Sequence, residues 1–218
     1  MGIHGDVFYE DRIAIPFTSL PPAASNDGRV MRCQPLVAGQ GYFYMVSDGT
    51  YWRPYGGEQK LYILDAPLNM AVNNTVQKLL TIPIPAMLIP CGRTYLKVVV
   101  GCEKLLGTSD TLNVTQKMGP LDTSSDPNLF GTTLATTQIA GGATNEASRM
   151  SSTTVRKHGK GNAFDSSAVS GIGTVATPAA ITVGNMDSVV NYLGVYGQMT
   201  TGSTEYGSIH SLTVEIMG

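Results

Sequence analysis

The chain has 218 residues, 14% of them charged and 42% hydrophobic, with a formal net charge of −2. Soluble domains carry roughly 25% charged residues, so much of this surface is expected to be covered by other protein. The near-neutral balance argues against a nucleic-acid partner, which needs a clustered positive field, and no run approaches the ~20 apolar residues of a membrane-inserted helix.

Residues 1–30 carry few periodic signals and are broken at Pro21, Pro22, Asn26, Asp27 and Gly28. Such a segment cannot build a core of its own. Val7, Phe8, Tyr9, Ile13, Ile15 and Phe17 give it apolar surface to bury elsewhere, which predicts an extended arm ordered by docking on a partner. The alternative is an edge strand folded back on its own domain. Asp6, Glu10 and Asp11 fall where a signal peptide needs an unbroken apolar stretch, so assembly in a cytoplasm is expected. These acids either pair with basic groups on the partner or are solvated. Asp6 also occupies the place where a myristoylation signal has Ser or Thr.

Residues 30–36 and 41–46 are rich in aromatic and branched side chains, and Asp48-Gly49 is a tight-turn signal ahead of Tyr51, Trp52, Arg53 and Pro54. This predicts a small β-ribbon. Trp52 serves either as a core residue or, with Tyr51 and Tyr55, as a surface on which a ligand stacks. A strand-like stretch at 61–64 and a connection bearing Pro and Asn follow, so residues 31–78 read as ribbon and linker. In the apolar block 79–90, Pro83, Pro85 and Pro90 exclude a helix interior and a central ladder strand. That block is expected as a buried edge or a bulged, extended segment.

Strands are then predicted at 94–102, 111–118, 150–157, 176–183, 189–196 and 209–216. The first is so continuous that Val98 and Val99 alike are expected in a core. In the last, Leu212, Val214 and Ile216 face one way and Ser211, Thr213 and Glu215 the other. Residues 131–142, with small Thr, Ala and Gly side chains, read as surface that packs against copies of the chain, and a closed homotrimer is the expected assembly. Helical crossovers are missing from the pattern, which rules against a parallel sheet. The expected fold class is all-β: a jelly-roll-like antiparallel β-sandwich over residues 79–218, with the arm at 1–30 and the ribbon and linker at 31–78.

Catalytic signatures are not found. A metal site of the cupin type needs closely spaced histidines and a carboxylate, but His4, His158 and His210 stand apart. There is no Gly-x-Ser-x-Gly elbow and no phosphate-cradling loop. Asp122, Asp126 and Asn128 could offer oxygens to calcium but read more simply as an Asx-rich turn. Arg156, Lys157, His158 and Lys160 form a basic patch, read as a solvated loop or else as a contact for a polyanion or sugar. Cys33, Cys91 and Cys102 are odd in number and without zinc-ligand spacing, which predicts free, buried thiols. No cofactor, metal or catalytic residue is expected, and the chain reads as a protein other than an enzyme.

The aromatic ribbon with residues 48–54, the Ile-Pro-Ala-Met-Leu-Ile-Pro-Cys-Gly segment at 84–92 entering a long apolar strand, and a closing strand at the C-terminus together form a pattern. That pattern, over residues 40–218, resembles bacteriophage virion proteins: small head-fibre, capsid-decoration and tail-tip proteins whose jelly-roll knobs are often trimeric. The three prolines between 83 and 90 exceed the general pattern, and the arm has no counterpart in it. The resemblance implies a structural protein of the virion, a head decoration or cement protein or a short head fibre, anchored by its arm to other virion proteins such as capsid or tail subunits. A tail module that binds host glycan through Tyr51, Trp52 or Tyr55 is the second implication.

Overall fold

The computed structural model describes residues 13–70, 75–90, 94–105, 110–120, 131–140, 147–157, 163–170, 174–175, 179–182, 187–200 and 206–218. After two short 3-10 turns (Phe17–Ser19 and Ala23–Ser25) comes a three-stranded ribbon of β1 (Val30–Cys33), β2 (Phe43–Ser47) and β3 (Trp52–Pro54). There follow β4 (Glu58–Ile63), β5 (Leu68–Asn69), β6 (Gln77–Ile84), β7 (Tyr95–Leu105), β8 (Leu112–Gly119), β9 (Thr132–Ile139), β10 (Ala147–Lys157) and β11 (Ala163–Ser170). The order closes with β12 (Thr174–Val175), β13 (Ala179–Thr182), β14 (Asn191–Met199) and β15 (Tyr206–Met217).

Two sheets make the sandwich. One runs β12-β11-β10-β7-β15-β4, with β13 also on β11 and β5 on β15; the other runs β6-β14-β8-β9. Every pairing between the described strands is antiparallel. Period-2 alternation supplies the inner faces: Leu96, Val98, Val100 and Cys102 from β7, Leu112, Val114 and Met118 from β8, and Leu212, Val214 and Ile216 from β15 are all buried. Thr137 of β9 donates to Ser151 of β10 at 2.5 Å, joining the two sheets on one flank. The all-β, antiparallel, jelly-roll-like sandwich with a small ribbon is thus the architecture found.

The polar groups inside it differ in how they are satisfied. The ammonium of Lys104, a fully buried residue, donates to the Asp110 carbonyl at 2.8 Å. Gln116, on the inward row of β8, is fully buried, and neither its amide nitrogen nor its oxygen has a hydrogen-bond partner among the described residues. Ile209 and Ser211 of β15 pair with the consecutive Cys102 and Gly101 of β7, so His210 between them is extruded as an exposed bulge. Gly101 lies beneath it, where a Cβ would come 2.6 Å from His210 Cε1, and that close approach explains the glycine inside an otherwise branched strand.

Several expectations are corrected. Val99 is half-buried while Val98 is completely covered, because adjacent residues of a strand point to opposite faces. Residues 132–139 form β9, an edge strand that turns Leu134, Thr137 and Ile139 inward, so that stretch is part of the chain's own core. Pairing to β8 supplies the order that its small side chains do not advertise. β11 likewise has no apolar alternation to announce it. β6 sits at the edge of its sheet, as its proline requires: Pro83, opposite Tyr192, has no N–H to donate.

The boundaries expected at 30 and 78 cross one core. β4 pairs with β15 of the large sheet, and a single apolar cluster runs from Phe17 through Phe43 and Trp52 to Ile216. The described part of the arm, from residue 13, is folded back. Ile15 makes a parallel bridge to Cys33, and Phe17 is buried with its ring 6.5 Å from that of Phe43. Apolar surface available in the same chain covers these side chains.

Candidate binding groove

Three segments meet at one end of the ribbon. The first is the turn between β2 and β3. Gly49 adopts φ 81°, in the left-handed region that a side chain would disfavour. Asp48 Oδ1 accepts the Thr50 N–H at 2.9 Å and the Tyr51 N–H at 2.7 Å, and its other oxygen pairs with Arg53. Burial nudges the Asp48 carboxyl upward, but these two N–H groups and the Arg53 charge outweigh it and hold the group below the usual carboxylate range. The turn is thereby fixed, and Tyr51 and Trp52 with it.

The second segment is residues 17–23. Its carbonyls are taken up by the ribbon: Trp52 Nε1 donates to Pro21 at 2.8 Å and Ser47 Oγ to Ala23 at 2.8 Å. Asn26 Nδ2 donates to Pro22 at 2.8 Å, closing the local turn. The third segment follows β6, where Leu88 N–H donates to Pro85 at 3.2 Å. Within that turn Met87 takes φ 63° and is 39% exposed. A left-handed conformation costs a side-chain-bearing residue roughly 1–2 kcal/mol, and such strain concentrates at ligand clamps and functional rims.

Between these segments lies an open groove of about 350 Å³, lined by Phe17, Thr18, Leu20, Pro21, Pro22, Ala23, Thr50, Tyr51, Trp52, Ala86 and Met87. The lining has no carboxylate, ammonium, guanidinium or imidazole, so the chemistry it offers is apolar and aromatic contact, with hydroxyls from Thr18, Thr50 and Tyr51.

The expected site residues are divided by the structure. Tyr51 and Trp52 line the groove, but Tyr55 is 41% exposed and outside the lining, so the three are not one stacking platform. Of the arm residues, Phe17 belongs to the groove and the core, Ile15 is half-buried beside Cys33, and Ile13 is 76% exposed. Val7, Phe8 and Tyr9 lie outside the described residues, as do His4, His158, Lys160, Cys91, Asp122, Asp126 and Asn128. Pro21, Pro22 and Met87 join the lining without a signal in the sequence that points to it. The Pro-Pro pair is visible there as a chain breaker, yet nothing brings it against a turn 65 residues later.

Elsewhere, Arg156 of the basic patch lies over the Tyr95 ring at 4.8 Å, a cation–π contact that covers part of the charge. Cys33 and Cys102 are free and buried, and burial pushes their thiols up to about 12 and about 11. Among the described residues no three His, Cys, Asp or Glu side chains gather as a metal site would. No described helix is long and apolar enough to cross a membrane.

No protein-family model matches the chain, and no curated protein matches it in sequence. Among solved structures it is similar to peanut lectin bound to a nine-residue peptide, at 10% identity and TM-score 0.35 over 73% of this chain and 97% of that one. It is also similar to a mutant of the alginate lyase Aly36B in complex with alginate trisaccharide, at 12% identity and TM-score 0.37 over 93% and 96%. A third likeness is to the VP2 subviral particle of infectious bursal disease virus, at 14% identity and TM-score 0.36 over 87% of this chain and 43% of that one. At these scores, what those proteins bind or assemble stays a property of those proteins.

Proposed function

We propose that this protein is a non-enzymatic structural component of a bacteriophage virion, assembled in the host cytoplasm, and acts as a head decoration or cement protein or a short head fibre. The observation that carries the reading is the groove. A charge-poor β-sandwich presents an uncharged apolar cleft beside the point where its N-terminal segment enters the fold, and such a cleft suits holding a partner by burial. Residues ahead of Ile13 anchor the knob to its neighbours on the particle, and the sandwich supplies stability.

The test is rebinding to particles that lack the protein, comparing the full chain with one lacking residues 1–12. The full chain restores density at a defined head position in cryo-electron microscopy, and the shortened chain folds but does not bind. Equal binding by both refutes anchoring by the arm, and density on the tail refutes the head assignment.

A second reading, a receptor-binding module for host glycan, is favoured by Tyr51 and Trp52 lining the same groove, since sugar rings stack on aromatic faces. Saturation-transfer NMR with a glycan panel separates the two. Transfer lost in Tyr51→Ala supports the glycan module, and silence across the panel removes it.

A further inference from the structure

We propose that the groove receives the Val7, Phe8 and Tyr9 segment of a second copy of this chain, so that copies are joined arm to groove. The inference rests on the assembly reading above and names the partner surface.

The groove and the segment are complementary in chemistry. Phe17, Leu20, Pro21, Pro22, Trp52 and Met87 form an uncharged apolar wall. Val7, Phe8 and Tyr9 form a contiguous apolar triplet between Asp6 on one side and Glu10 and Asp11 on the other. An apolar patch favours covering the triplet, while the flanking carboxylates stay hydrated at the rim. Two of the lining residues are prolines without N–H groups, so the arm is held by side chains entering the cleft and not by addition of a strand. Met87, kept at positive φ and partly exposed on the rim, is the flexible apolar side chain that closes over the incoming ring.

The segment is tethered at the surface. Ile15 is tied on both sides, its N–H donating to Arg32 at 3.1 Å and its carbonyl accepting from Gln34 at 2.9 Å, while Ile13 is 76% exposed. Phe8 stands five residues ahead of Ile13, a reach of up to about 18 Å when extended and about the radius of gyration of a compact fold of this length, about 17 Å, so the groove it enters is that of a copy packed directly alongside. A contact in which the arm of one copy fills the groove of the next is head-to-tail, and it closes into a ring when the rotation between copies permits.

The experiment uses full chains carrying Phe8→Cys or Met87→Cys singly, mixed in equal amounts at micromolar concentration under mild oxidation and resolved without reductant. The native thiols are controlled by the unaltered chain, and geometry by Phe8→Cys mixed with Tyr42→Cys, an exposed site outside the groove. A disulfide-linked pair in the first mixture, and neither control, is the expected result. In the Phe8→Cys, Met87→Cys double variant, closure within a single chain shows the arm on its own groove and overturns the inference. Linkage no faster than in the controls also overturns it.

Deleting residues 1–12 is the companion measurement: sedimentation equilibrium then shows loss of the oligomer to monomer, and an unchanged oligomer refutes the proposal without any engineered cysteine. Particle rebinding by the same proteins reports separately. Arms that fail to link in a protein that still binds particles sink this inference and leave the virion reading standing.

Discussion

Substituting Asp at Val98 and at Val99 separates the two faces of one strand. Val98 is fully buried, opposite Thr153 and Val214. Its loss removes about 1.5–3 kcal/mol of side-chain burial, and an Asp carboxyl there adds several kcal/mol more, whether it stays ionised or takes up a proton. Thr153 Oγ1, which has no hydrogen-bond partner among the described residues, could return one bond worth about 1 kcal/mol. The net cost of roughly 5 kcal/mol or more is of the order of the whole stability of a typical domain. Val99 is half-buried, opposite Ser152 and Thr213. Asp there costs about 1 kcal/mol in strand preference and local packing. Urea unfolding followed by the fluorescence of Trp52, the single tryptophan, compares both variants with the parent. Val98→Asp is expected to be unfolded without denaturant and Val99→Asp to keep a cooperative transition. Equal midpoints would refute the assignment of faces.

Removing residues 1–12 should leave the unfolding midpoint near that of the parent, whereas removing residues 1–29 strips Phe17 and the Pro21 partner of Trp52 and should cost at least ~2 kcal/mol; equal midpoints in differential scanning calorimetry would count against the folded-back segment. Burial raises the Cys33 thiol from 9.0 to about 12 and Cys102 from 9.0 to about 11. The unfolded chain therefore releases these protons first, so their contribution is intact below pH 9 and stability falls as pH rises from there toward 12, at up to about 1.4 kcal/mol per unit for each thiol; urea midpoints that stay flat over that window contradict it. Gln116→Met replaces a buried amide whose polar atoms lack partners among the described residues, and a gain of about 1–3 kcal/mol in urea unfolding is expected, while a loss would mean that the amide is satisfied in solution. Met87→Gly relieves the positive φ and should raise stability by about 1 kcal/mol, with a lower thermal midpoint as the contrary result.

What the sequence decided by itself was local. Alternating branched residues in β7, β8 and β15, the Asp48-Gly49 turn and the proline of β6 each act within a few positions, so strands, turn and edge were legible from the order of residues alone. β9 and β11 were not, because regular apolar alternation is missing from both: a register shift at Leu134 puts it and Ala135 side by side in the buried set of β9, and Ser and Ala fill most of β11. Val98 and Val99 were identical as residue types, and only the pleat and its register set one inside and the other out. The same holds for Phe17: its apolar character was evident, but its partner was settled when Phe43 arrived beside it. The groove belongs wholly to tertiary structure. Its walls come from residues 17–23, 50–52 and 86–87, three segments with no shared periodicity, brought together because Trp52 needed an acceptor at Pro21 and the turn after β6 packs beside them.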